Sequence, residues 1–196
     1  MTYHDDSKRL KCAVYFATSG GNYHYDSSAD TDWLMWHRSL ADEECAVARS
    51  MQQVGQWWTI LILRNVFLGM HRFAELESSL EIAPTTLTRR LRAMIGDDLL
   101  KKNGDEYVLT QKGEEFLPVL MALVAWGNRW TSGGKAVIPV WANTSREIVP
   151  HVVDKKTGRR LEPGTVAMGS GPAASRAMRE FLTPPRTLGT ATRRKR

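Results

Sequence analysis

Three consecutive stretches leave this chain little conformational freedom: HRFAELESSL, then EIAPTTLTRRLRAM, then LLKKNGDEYVLT. In the first, Phe73, Leu76 and Leu80 recur at helical spacing. Ile82-Ala83-Pro84 makes a tight corner, and proline suits the first turn of a helix because the N–H it lacks would be unpaired there. Two short helices joined by a brief turn, the second opening on Pro84, read as a helix-turn-helix. Asn103-Gly104, flanked by two short strand-like runs, is a strong hairpin signal. A helix-turn-helix followed at once by a hairpin is the order of a winged helix.

The flanking segments fit this centre. ADEECAVARSMQQVG is expected to form a helix begun by Asp42, Glu43 and Glu44 and stopped at Gly55. QWWTILILRNVFLG is apolar on almost every side and belongs in the middle of a domain. Arg64 interrupts it, and the expected partner is a carboxylate such as Glu75. From Thr110 another helix is expected, bent near Glu114–Glu115 by Pro118. Its apolar residues cover too much of the circumference for one buried stripe, so a second subunit is the natural cover. The expected dimer contacts are Leu117, Leu120, Leu123, Val124, Trp126 and Trp130. For Trp57, Trp58, Trp126 and Trp130 core packing is expected over a ligand pocket.

The ends differ in texture. Residues 1–34, rich in Gly, Ser and Asp, read as a flexible arm, with Met35 as the expected biological start. Residues 35–130 form the expected winged-helix and dimerisation domain. Residues 131–172 carry β-branched runs around Lys156-Thr157-Gly158 and predict a second hairpin, a C-terminal β extension. Residues 173–196 read as a short helix, AASRAMREFL, and a disordered basic tail. No internal repeat is expected.

Within the opening of the second helix, Leu87, Leu91, Met94 and Ile95 form the predicted core-facing stripe. Thr85, Thr86, Thr88, Arg89 and Arg92 then point outward or sideways, with Arg90 at the margin. The chain has 27 Lys+Arg against 21 Asp+Glu, a formal charge of +6, which favours a polyanionic partner. A major groove admits a helix, arginine can grip guanine through two hydrogen bonds, and threonine can bond a base or pack on thymine. Thr85, Thr86, Thr88 and Arg89 are therefore expected at base edges and Arg92 at phosphate. Arg72 would anchor the other side of the groove. Lys101 and Lys102 in the wing would meet phosphate, against the repulsion of Asp105 and Glu106. The plainer alternative is a solvated basic face.

Other chemistries find little support. No GxSxG, P-loop or Rossmann glycine pattern is present, the five histidines are scattered, and no enzyme activity, cofactor or metal is expected. Phe116 to Trp126, the longest uncharged apolar stretch, is too short to span a bilayer, so no membrane partner is expected. Cys12 and Cys45 form no CxxC pair or disulfide framework, and a cytoplasmic location is expected.

The run from CAVARSMQQVGQWWTILILRNVFLG through LTRRLRAM, followed by YVLTQKGEEFLPVLMALVAWG, resembles the HxlR-type transcriptional regulators, bacterial winged-helix proteins of MarR-like architecture. The matching elements occur in order: Cys45 before the first helix, Trp58-Thr59 leading LILR, Arg72-Phe73 with Glu75-Leu76, Pro84 through LTRRL, and LTQKG with LPVL and WG. Linked motifs in order are far more specific than any one of them. The resemblance implies a homodimer on double-stranded DNA, reading a short near-palindromic operator, with the helices at both ends of the domain forming the dimer. Some relatives use the matching cysteine as an oxidant sensor, which makes Cys45 a candidate redox sensor and a small molecule or oxidant the candidate effector. Packing is the competing role for that thiol. Two departures stand out: Ala46 replaces the usual proline, and only KKNGDE separates Leu100 from Tyr107, so the wing is short.

The expected fold is thus mainly α with a small β component, a dimeric winged helix-turn-helix with a C-terminal β-hairpin extension. The expected function is a sequence-specific DNA-binding transcriptional regulator acting as a repressor. The alternative is a winged-helix protein-interaction module without DNA specificity of its own.

Overall fold

The computed structural model describes residues 39–131 and 135–189. The expected arm over residues 1–34, Met35 and the end of the basic tail lie outside them. Two compact units are distinguished, Gln53–Glu162 and one whose described residues are 39–52 and 163–189.

In the Gln53–Glu162 unit the core is one cluster supplied by four helices and the start of the hairpin, with Tyr107 and Leu109 of its second strand packed against it. Helix α1 (Ala46–Val54) contributes Val54, and α2 (Trp57–Phe67) contributes Ile62, Leu63 and Val66. Helix α3 (Phe73–Leu80) adds Leu76, the turn adds Ile82, and α4 (Pro84–Gly96) adds Leu87, Leu91 and Met94. Leu99 and Leu100 close it at the start of β1 (Leu100–Asn103), which pairs antiparallel with β2 (Glu106–Leu109). Two helices follow, α5 (Gln111–Glu114) and α6 (Leu117–Trp130).

Several sequence expectations are corrected. Asp42, Glu43 and Glu44 precede α1 rather than opening it. Pro118 does not bend one long helix but sits in the first turn of a new one, where its missing N–H costs no hydrogen bond. Ile95 is exposed, not part of the core stripe. Arg64 does not pair with Glu75. Its guanidinium donates twice to Oδ1 of the buried Asn65, at 3.0 and 2.8 Å, and Asn65 Nδ2 donates to Ser79 Oγ at 3.0 Å. Core packing accounts for Trp58 only, since Trp57, Trp126 and Trp130 are exposed.

The extension holds a tandem repeat that the sequence reading missed. Residues 138–150, IPVWANTSREIVP, and 151–163, HVVDKKTGRRLEP, share a period of thirteen residues. Trp141 N donates to Arg146 O at 2.9 Å and Ser145 N to Trp141 O at 2.8 Å; thirteen residues on, Asp154 N donates to Arg159 O and Gly158 N to Asp154 O, both at 2.8 Å. Ser145 and Gly158 have matching positive φ, 53° and 69°. Single bridges, Val140↔Glu147 and Val153↔Arg160, close each loop. The expected second hairpin is therefore a pair of narrow loops, not two extended strands. Only Thr144/Thr157, Arg146/Arg159, Val140/Val153 and the closing prolines are identical between copies, too few to catch the eye.

In the other unit, β3 (Ala167–Met168) pairs antiparallel with β4 (Arg186–Thr187), and the connection contains α7 (Arg176–Phe181). Ser175 caps α7 by accepting from Met178 N, while its own N–H and hydroxyl donate to Glu44 at 3.1 Å each. The short helix is where the sequence placed it. Arg186 and Thr187, expected within the disordered tail, are instead paired in β4. No helix among the described residues is long and apolar enough to cross a membrane.

Candidate nucleic-acid interface

The α3–α4 corner is built from three residues. Glu81 ends α3 in the left-handed region at φ 50°, Ile82 turns its side chain into the core, and Ala83 caps α4 without a side-chain hydrogen bond. With Pro84 first in α4, the earliest backbone bond of the helix runs from Leu87 N to Ala83 O at 3.0 Å. The N–H groups of Thr85 and Thr86 consequently have no acceptor within the helix and remain as donors at its positive end.

Leu87, Leu91 and Met94 are almost wholly enclosed, and this fixes which side of α4 faces away. Thr85, Thr88, Arg89 and Arg92 recur at i, i+3, i+4 and i+7, so they share one face. With Pro84 they line an open groove of about 450 Å³. Thr85, Arg89 and Arg92 are exposed, and Thr86 and Thr88 are half-buried. Thr86 lies off the shared face, so α4 brings together four of the five predicted outward residues. Arg90 is half-buried at the margin, and its Nε has no hydrogen-bond partner. Among the described residues no carboxylate pairs with Arg89 or Arg92.

The wing is a tight two-residue hairpin. Asn103 stands opposite Glu106, so its central residues are Gly104 and Asp105 rather than Asn103 and Gly104. Gly104 has φ 59° and Asp105 has no positive φ, a pattern of the turns that lead with glycine. Lys101 and Lys102 are exposed, but as neighbours on one strand they leave opposite faces of the ribbon.

Arg72 is the residue whose surroundings differ most from expectation. His71 O accepts from Tyr107 N at 2.8 Å, and His71 Nδ1, in the tautomer that carries a hydrogen, donates to Tyr107 O at 3.2 Å. The segment before α3 thus runs as a third edge beside β2. That contact brings Arg72 Nε within 3.5 Å of Glu106 Oε1. The anchoring cation and the repelling acid are partners in an exposed surface pair, which is weak. Glu75 holds the segment in place: its carboxylate accepts from the backbone N–H of Arg72 and of His71, both at 2.9 Å. These two bonds, Arg72 first, hold the Glu75 carboxyl below its ordinary value of 4.5. The sequence carried a sign of this in the Glu three residues into α3, the acceptor half of a capping box.

The predicted dimer residues divide. Leu120 is only 7% exposed and belongs to the interior of the chain, so it is withdrawn from the interface. Leu117, Leu123, Trp126 and Trp130 are exposed, and Val124 is half-buried. Val119, which was not predicted, is also exposed and completes a stripe with Leu123, Trp126 and Trp130 at i, i+4, i+7 and i+11. Cys45 is exposed and unpaired immediately before α1. Cys12 lies outside the described residues. Among the described residues no three His, Cys, Asp or Glu side chains gather as a metal site would require.

Comparison with known proteins fits this geometry. Residues 53–135 match the model of the HxlR-like helix-turn-helix family. An uncharacterized HTH-type transcriptional regulator of Mycobacterium tuberculosis is 34% identical over 92 residues, covering 43% of this chain and 58% of the relative. The chain therefore spans little more than half the length of that mycobacterial protein. An uncharacterized HTH-type transcriptional regulator of Methanothermobacter thermautotrophicus is 31% identical over 103 residues, which are 47% of this chain and 79% of the relative. Among solved structures, a candidate transcription factor from Pseudomonas aeruginosa is 42% identical, with a TM-score of 0.50 over 70% of this chain and all of that one. With the corner, the seated second helix and the short wing in the order described, the chain belongs to the HxlR-like helix-turn-helix family.

Proposed function

We propose that this protein is a sequence-specific DNA-binding transcriptional regulator that represses as a homodimer, with residues 35–130 as its operative domain. The observation that carries this reading is the outward face of α4. Thr85, Thr88, Arg89 and Arg92 stand on one side of a helix whose opposite side is locked in the core, and neither arginine is neutralised by a carboxylate among the described residues. In the major groove Arg89 would take a guanine through two N–H donors, and Thr85 and Thr88 would meet neighbouring base edges. Thr86, at the margin, would contribute through its free backbone N–H as much as through its hydroxyl. Arg92, one turn on, would reach phosphate, and Lys101 and Lys102 would hold backbone from the wing. Arg72, already paired, would act by fixing the wing. Two recognition helices would read half-sites about 34–36 Å apart.

The test is a binding titration on DNA from upstream of the protein's own gene and on random duplex of equal length. Arg89→Ala is expected to lose about 1–3 kcal/mol of discrimination between the two, while Lys101→Ala weakens both similarly. Equal losses on both duplexes for Arg89→Ala would remove that residue from base readout. A wild-type protein without salt-dependent binding to either duplex would leave a protein-interaction module as the better description.

A further inference from the structure

The thirteen-residue repeat contains its own control experiment. Both loops share three closing backbone hydrogen bonds and a positive φ at the same position, Ser145 in the first and Gly158 in the second, yet their tips differ in charge. Trp141–Glu147 carries Arg146 and Glu147, one charge of each sign. Asp154–Arg160 carries Lys155, Lys156, Arg159 and Arg160 against a single acid, Asp154. At the positions of Lys155 and Lys156 the first loop has Ala142 and Asn143 and closes in the same way, so the loop backbone does not need the lysines.

The one acid of the second loop is committed to its scaffold. Asp154 accepts from Thr157 Oγ1 at 2.6 Å and from Lys156 N at 3.2 Å, and the Thr157 hydroxyl in turn accepts from Arg159 N at 3.3 Å. This network ties the acid to the loop backbone and leaves the basic side chains outside it. Residues 155–160 are all exposed. Among the described residues no carboxylate pairs with Lys155, Lys156 or Arg159, and Arg160 has only a long 3.8 Å contact with Glu162 at the surface. Pairs of that kind are weak and yield readily to a better acceptor.

We propose that the Lys155–Arg160 loop is a second contact to nucleic-acid backbone, holding phosphates without reading sequence. The inference rests on the DNA-binding reading and enlarges it. The loop belongs to the same compact unit as α4, whose partner in that reading is also a polyanion. Lys155–Arg160 itself has no aromatic or aliphatic side chain to enter a lipid surface, and the exposed Val152, Val153 and Leu161 only flank it in sequence. Its role compensates for the wing, where Asp105 and Glu106 oppose phosphate.

The test replaces Lys155 and Lys156 by the residues that the first loop uses, as the double variant Lys155→Ala, Lys156→Asn. An unchanged thermal midpoint would establish that the full chain still folds, and Lys155→Gln, Lys156→Gln serves as a second variant if it does not. Affinity is measured against salt concentration on upstream and random duplexes. The slope of log affinity against log salt is expected to fall by about 2 on both, with the preference for upstream DNA retained. A slope unchanged from wild type, with Arg89-dependent preference intact, would overturn this inference and leave the proposed function standing. No wild-type DNA binding at all would remove both. Vesicles of phosphatidylserine and phosphatidylcholine provide the remaining arm: binding that depends on Lys155 and Lys156, without a change in DNA slope, would overturn the inference in favour of a membrane contact.

Discussion

Gly113 sits where a methyl group would collide with backbone. A Cβ built there would lie 2.2 Å from the Leu99 carbonyl oxygen, which also accepts from Thr110 N at 3.2 Å. Thr110 caps α5 by accepting from Gly113 N at 3.1 Å. The LTQKG stretch is thus a splice in which the threonine starts a helical turn and the glycine lets it press against Leu99, between α4 and β1. Gly113→Ala is expected to destabilise the fold by about 1–3 kcal/mol, because the obstructing atom is main chain and cannot rotate aside. Gly96→Ala, with nothing within 4 Å of its Cβ, should leave the unfolding midpoint little changed, and denaturant unfolding of the two variants checks the contrast. At this scale the sequence was legible where one periodicity decides the answer. Leu87, Leu91 and Met94 follow from spacing alone. Ile95 did not, because a residue beside the stripe is covered only if a neighbouring element reaches it. Leu120 fell on the other side of the same ambiguity.

Among the elements, the junction between α3 and the wing was the least legible. His71 and Tyr107 lie 36 positions apart and neither belongs to an alternating apolar run, so only the folded chain reveals their pairing. Glu75 secures that junction, and its titration gives it a signature. Its carboxyl is held below 4.5 when folded, so its stabilisation is fully present above the unfolded value and is lost as pH falls through the folded one. Glu75→Gln should therefore melt at a lower temperature than the parent at neutral pH, and the difference should shrink as pH drops below 4.5. Thermal melts across that range check the sign. A gap that widened in acid would mean that the carboxylate is not the stabilising form. The break at Pro118 was half-legible: proline announced an interruption, but whether it kinks one helix or opens another depends on Glu115 and Phe116 leaving the helix before it.

For the molecule as a whole, the stripe of Val119, Leu123, Trp126 and Trp130 is the largest debt to solvent on α6. A contiguous apolar helix face of this kind is normally covered by a partner, and a twofold partner would present the same face in return. Trp126→Glu is expected to shift a dimer to monomer in sedimentation velocity, since it would place facing carboxylates in an apolar seam. A parent that already sediments as a monomer at micromolar concentration would end the dimer proposal. Fold class and element order were readable from the chain because local signals agreed with one another from Trp57 to Trp130. The extension was not, since none of its described residues is buried and its two loops are held by turns rather than by a hydrophobic pattern.

Those loops also change what counts as a small mutation in this region. Each closes through its own hydrogen bonds, so the copies are independent cassettes with a proline at the end of each, Pro150 and Pro163. Losing or gaining thirteen residues in phase alters the chain by one complete loop and leaves the neighbour's bonds intact. A shift by a number that is not a multiple of thirteen cuts through a loop. Length in this segment is therefore free to evolve in steps of one cassette, and with each step the charge presented can change while the frame that carries it does not.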